Sequence, residues 1–99
     1  MDTIHHIAIQ VSDIEETLYW YKSNFDVIIS YQDRTWALIE FENVSLALVM
    51  PDQHPSHFAI LDKQAEKHGH LVMHRDGTQS VYIQDPSGNA VEMLKLPEA

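Results

Sequence analysis

Apolar and polar residues alternate from Ile4 to Val11: Ile7, Ile9 and Val11 point one way, and His6, Ala8 and Gln10 the other. That period predicts a half-buried strand. Ser12 and Asp13 follow as helix-start residues, each with a glutamate three positions later, Glu15 and Glu16. Ile14, Leu18, Tyr21 and Phe25 then recur at helical spacing, which predicts a helix from Asp13 to near Asn24. Three strands complete the half: Val27–Tyr31, Thr35–Phe41 after the Gln32-Asp33-Arg34 turn, and Val44–Met50, which Pro51 stops.

The second half repeats the order after a polar, proline-bearing linker from Pro51 to Ser56. His57–Ile60 is a short strand, and Leu61 to His68 carries an abbreviated helical pattern. Gly69 closes it where a left-handed cap is favoured. His70–Arg75, Gln79–Gln84 and Asn89–Leu96 are the remaining strands, separated by the turns Asp76-Gly77 and Asp85-Pro86-Ser87-Gly88. The repeat is also visible residue by residue. His6-Ile7-Ala8-Ile9 returns as His57-Phe58-Ala59-Ile60, 51 positions later. Asn43 precedes Pro51, and Asn89 precedes Pro97, by the same eight positions. The expectation is a single α+β domain of two tandem βαβββ modules, residues 1–51 and 52–99.

At 99 residues the chain has room for one modest core. Its 15 acidic and 6 basic residues give a net charge of −9, with no clustered Lys or Arg to grip phosphates, so nucleic acid and anionic membrane are poor partners. The absence of cysteine removes disulfides, thiolate metal sites and cysteine nucleophiles. No apolar run approaches a membrane span and the first residues do not read as a signal peptide, so the cytoplasm is the expected location. The unusual count is seven histidines, the residue most used to bind metals and move protons.

Strand facing brings three of the ligand-type residues into one argument. The stripe Ile7/Ile9/Val11 is expected to pack under the first helix and Phe58/Ile60 under the second, leaving His6 and His57 on the opposite face. Ala90, Glu92 and Leu94 share a face of the last strand. If both modules curl into one curved mixed sheet with the helices outside, His6, His57 and Glu92 converge in a cup-shaped cavity. Two imidazoles and a carboxylate with open positions suit one divalent ion: Fe, Mn, Ni or Zn.

These residues, and the ending Asp85-Pro86-Ser87-Gly88-Asn89-Ala90-Val91-Glu92, resemble the vicinal oxygen chelate superfamily over essentially the whole chain. That group includes glyoxalase I, extradiol dioxygenases, fosfomycin-resistance transferases, methylmalonyl-CoA epimerase and metal-free bleomycin-binding proteins. The resemblance implies ligands on the first and last strands of each module, hence His6, His57 and Glu92. Counting back from Pro51 and Pro97, Glu92 corresponds to Leu46, or to Ala47 if the register slips by one, and neither binds a metal. The remaining set looks more like that of extradiol dioxygenases and fosfomycin-resistance enzymes than the four-ligand set of glyoxalase I.

Tyr82 stands ten positions before Glu92, where extradiol dioxygenases carry an active-site tyrosine and where other members use an aromatic for packing. His74, with His70 beside it, is a candidate proton-transfer base. His5 is expected at the helix side or the strand's edge, and His54 in the linker is expected at the solvent-exposed surface, with a substitute ligand as the alternative. Lys22 and Arg34 are the nearest groups for an anionic substrate, Trp20 and Tyr21 belong to a core or dimer interface, and Trp36 to a cavity wall. Two functions stay open. One is a metal-dependent lyase, isomerase or dioxygenase acting on a small oxygen-bearing substrate. The other is a metal-free protein that binds or sequesters a small molecule. A homodimer is expected in either case.

Overall fold

The computed structural model describes residues 1–98 and has the order β1 (Ile4–Gln10), α1 (Ile14–Asn24), β2 (Ile28–Gln32), β3 (Trp36–Glu40), β4 (Ser45–Val49), β5 (His57–Leu61), a 3₁₀ turn (Ala65–His68), β6 (Val72–Met73), β7 (Gln79–Gln84) and β8 (Ala90–Lys95). The chain is α+β with mixed strand pairing, as expected. Two compact units are present: His6–Ser56, and Met1–His5 together with the chain from His57 onward. Among the described residues no helix is long and apolar enough to cross a membrane.

In the first unit the strand order is β2-β3-β4-β1, with β1 parallel to β4 and the other pairs antiparallel. Its helix starts where the sequence says it must. Asp13 sits in an extended conformation and its Oδ1 accepts from the Glu16 amide at 2.9 Å, satisfying a donor the first turn leaves orphaned. Glu15 and Glu16 in the first turn and Lys22 in the last complement the helix dipole. Ile14 and Leu18 pack with Val27, Ala37, Ile39 and Leu48, joined by Ile9, Val11 and Tyr21. The opposite face of the same strands carries a second cluster, Ala8, Ala47 and Val49 with Trp36 and Leu38. Period-two alternation therefore holds in β3 and β4, and Trp36 is on the face away from α1.

Ile7 departs from the expected stripe. It is 40% exposed, and only Ile9 and Val11 join the helix-side cluster. Lys22 is structural: its Nζ donates to the Val27 carbonyl at 2.8 Å, closing the loop after α1. Arg34 is exposed in the β2–β3 turn. Beside it Asp33 organises that turn, its Oδ1 accepting from the Thr35 amide and hydroxyl and from the Trp36 amide. The linker is tied back to β1, with Ser56 Oγ accepting from the Gln10 amide and the His54 carbonyl from Gln10 Nε2.

The second unit has the order β5-β8-β7-β6, with β5 parallel to β8 and the rest antiparallel. Its helix is smaller than expected. Only Ala65–His68 winds, as a 3₁₀ turn with no side-chain N-cap, because the segment has four residues and one buried anchor, Ala65. Such short runs do not sustain an α-helix. The second unit thus has a shorter helical segment than the first. The predicted strand at His70–Arg75 likewise shrinks to Val72–Met73, both exposed. Gly69 closes the turn at φ 150°, and a side chain there would meet Val81 Cγ2 at 3.2 Å. Gly88 closes the β7–β8 turn at φ 84°, its amide donating to the Asp85 carbonyl at 2.9 Å.

Candidate metal centre

The parallel register of β5 and β8 places His57 opposite Ala90 and Ala59 opposite Glu92, while β7 sets Tyr82 opposite Glu92. Directly paired residues share a face, so His57, Ala59, Ser80, Tyr82, Glu92 and Leu94 all project to one side of the unit. His57, Ser80 and Glu92 are buried there, at 8%, 2% and 5% exposure. Three polar side chains on an otherwise apolar buried face are costly unless mutually satisfied. Here they are. Ser80 Oγ donates to Glu92 Oε2 at 2.7 Å, and His57 Nε2 lies 3.3 Å from Glu92 Oε1.

Tyr82 and His74 border this pair. The Tyr82 ring meets the His57 ring edge-on, with centroids 5.0 Å apart, and its hydroxyl lies 3.4 Å from Nε2 and 3.5 Å from Nδ1. That is the outer limit of hydrogen bonding. Burial pushes the Tyr82 phenol well above the ordinary tyrosine range, and the Glu92 charge adds to it. Near neutral pH Tyr82 is therefore a proton donor and not a base. His74 Nε2 approaches Ser80 Oγ at 2.7 Å and Glu92 Oε2 at 3.7 Å. Sequence reasoning missed Ser80 altogether; the available signal was a small polar residue two before Tyr82, on the same strand face.

His6 is in the first unit, half-buried on β1 and opposite Ser45 of β4. His5 and His54 are half-buried and His70 is exposed. An open groove of the first unit, about 480 Å³, is lined by Asp13, Glu15, Asp33, Arg34 and Met50 among others; its three carboxylates do not favour an anion at Arg34. The registers also settle the position equivalent to Glu92. Ala8 pairs with Ala47 as Ala59 pairs with Glu92. The first count, to Leu46, is corrected to Ala47, because Leu46 faces the helix with the apolar cluster around Ile39 and Leu48.

The His57–Glu92 geometry fits a divalent ion. Two donors bound to one ion at about 2.1 Å stand roughly 3.0–3.4 Å apart in octahedral or tetrahedral arrangements. The 3.3 Å separation falls in that range.

Solved structures with the same fold include a hypothetical protein, BH1468, from Bacillus halodurans C-125 (TM-score 0.78, 17% identity, covering 99% of this chain and 96% of that one). Another is a glyoxalase/bleomycin resistance protein/dioxygenase superfamily member from Vibrio splendidus 12B01 (TM-score 0.70, 10% identity, covering 96% and 99%). No functionally curated protein matches the chain. The family model for the glyoxalase/bleomycin resistance protein/dioxygenase superfamily matches residues 3–76. With well over half of its length matched and its fold shared, the chain belongs to that superfamily.

Proposed function

We propose that the chain is a small metal-dependent enzyme that holds one divalent ion, Fe, Mn, Ni or Zn, through His6, His57 and Glu92. Its substrate in this reading is a small molecule with adjacent oxygen atoms, and the chemistry is that of a lyase, isomerase or dioxygenase. The observation that carries the reading is the buried His57–Glu92 pair, with donor atoms at ligand-to-ligand spacing and Ser80 on the outer carboxylate oxygen. His6 enters because it occupies in β1 the place that His57 occupies in β5, as the first member of the His-x-Ala repeat. A divalent ion bound there would act as a Lewis acid on the substrate's oxygens. Tyr82, kept protonated by burial, donates a hydrogen bond to an oxyanion forming beside His57. Ala59 and Leu94 exclude water from the same face.

The test is calorimetry on demetallated protein with Mn, Fe(II), Ni and Zn, alongside Glu92→Ala and His57→Ala. One tight site per chain that both variants lose supports the reading and justifies screening diketone, epoxide and catechol substrates. Weak multi-site binding indifferent to both overturns it.

A second reading is favoured by one observation. Where a fourth ligand would stand, Ala47 belongs to an apolar cluster with Ala8, Val49, Trp36 and Leu38. That lining suits an apolar or aromatic ligand, and the metal-free binding function would then take over. A homodimer accompanies either reading. Trp20, Phe25 and Ile28 are exposed on α1, its end and β2, and a clean monomer by light scattering would exclude it.

A further inference from the structure

We infer that Ser80 and His74 are positioning residues for Glu92, joined in a directed relay that holds one carboxylate oxygen and presents the other. The direction follows from counting protons. An ionised carboxylate only accepts, so the single proton of the Ser80 hydroxyl goes to Glu92 Oε2, 2.7 Å away. Ser80 Oγ then has only lone pairs to offer His74 Nε2, also at 2.7 Å. His74 must therefore carry its proton on Nε2 and donate it. With Oε2 held, the remaining oxygen, Oε1, is the one that faces His57 Nε2 at 3.3 Å.

The surroundings are built for this. Ser80 is 2% exposed on a face whose buried members besides His57 and Glu92, namely Ala59 and Leu94, are apolar, so packing alone gives no reason for a hydroxyl. His74 is pinned by the β6–β7 turn: its amide donates to the Thr78 carbonyl at 2.8 Å and its carbonyl accepts from the Gly77 amide at 3.0 Å. An anchored backbone leaves little freedom to the imidazole. In the proposed metal centre the relay selects single-oxygen binding by Glu92, and outer partners of this kind set ligand affinity.

What Oε1 is presented to rests on the metal reading; the relay itself does not, and the experiment separates the two. Long-range ¹H–¹⁵N NMR of the metal-free protein, at a pH where His74 is neutral, should show the Nε2–H tautomer. The Nδ1–H tautomer would overturn the relay whether or not the protein binds metal. Zn and Co(II) titrations follow. Ser80→Ala should weaken binding about ten- to a hundredfold and change the Co(II) visible spectrum. His74→Leu should weaken it less, and His74→Gln, whose amide can donate to Ser80, should return it to within about threefold of the parent. Equal affinities in Ser80→Ala and the parent, or no difference between His74→Leu and His74→Gln, would overturn the positioning role. His74 is partly exposed, so its two variants keep the test open if Ser80→Ala does not fold. A parent that takes up no metal defeats the proposed function and leaves the relay to be judged on the tautomer.

Discussion

Glu92 on β8 and Ala47 on β4 are equivalent residues: each lies opposite the alanine two positions after a histidine, Ala59 after His57 and Ala8 after His6. Both histidines are present, but a carboxylate stands beside only one of them. Ala47 is 4% exposed and lined by apolar neighbours. Ala47→Glu would put a carboxylate into that cluster. Without metal it should lower the melting temperature, since a buried unpaired charge costs several kcal/mol. Added Zn or Ni should recover more of the loss than it raises the parent's melting temperature, read by calorimetry with and without metal.

Tyr82 and His57 are expected to separate under mutation. The phenol hydroxyl is 3.4–3.5 Å from the ring nitrogens, too far to hold the imidazole firmly. Tyr82→Phe should therefore leave Zn affinity within about threefold, a weak hydrogen bond at most. His57→Ala should abolish the site. A loss of metal in Tyr82→Phe comparable with that in His57→Ala would show that the phenol shapes the ligand set.

Gly69 is held at φ 150° with Val81 Cγ2 in the space a methyl group would take. Gly69→Ala meets both strain and contact, and should cost about 1–3 kcal/mol in urea unfolding. Gly88, also at positive φ, has nothing within 4 Å of a built Cβ. Gly88→Ala should cost less, by the backbone contribution alone.

Three carboxyls should make the fold acid-sensitive. Asp33 is held well below its ordinary 3.8, chiefly by the Tyr31 hydroxyl and then by Thr35. Burial pulls Asp76 upward, but the Thr78 hydroxyl and amide and the nearby His74 outweigh it, so it too lies below 3.8. Asp85 is lowered by the Asn89 side chain and amide. A folded-state value below the unfolded one stabilises above the unfolded pKa and is lost as pH falls through the folded one. Stability should thus fall as the pH is lowered below about 4, and Asp33→Asn should make the fall less steep in melting curves taken across that range.

Most elements of the first module were legible because each carries a local signal. Asp13 caps, Ile14 and Leu18 anchor, and Pro51 stops. The second half misled where its elements are short. Leu61 to His68 has helical-looking spacing, yet only Ala65 is buried, and a single anchor cannot hold several turns. Ile7 fits the apolar period of β1 but lies outside the cluster under α1, and no period reports where a helix stops covering a strand. Of the site, His57, Tyr82 and Glu92 could be found by type and spacing. Ser80 carried only its place two before Tyr82, and a serine in a strand acquires meaning from the register that sets it diagonally against Glu92.

The tie between Thr3 and Leu61, whose amide donates to the Thr3 carbonyl at 3.1 Å, has a consequence for how the chain folds. The second unit combines Met1–His5 with the chain from His57 onward, so His6–Ser56 is inserted between its two parts. Closing an unstructured loop of that size costs roughly 3–4 kcal/mol of chain entropy. If the inserted unit folds first, the Gln10–Ser56 and Gln10–His54 bonds draw its two ends together and remove most of that cost. The inner unit is then the template and the outer one the late step, so the polypeptide that carries His57, Ser80, Tyr82 and Glu92 is the last to acquire its geometry.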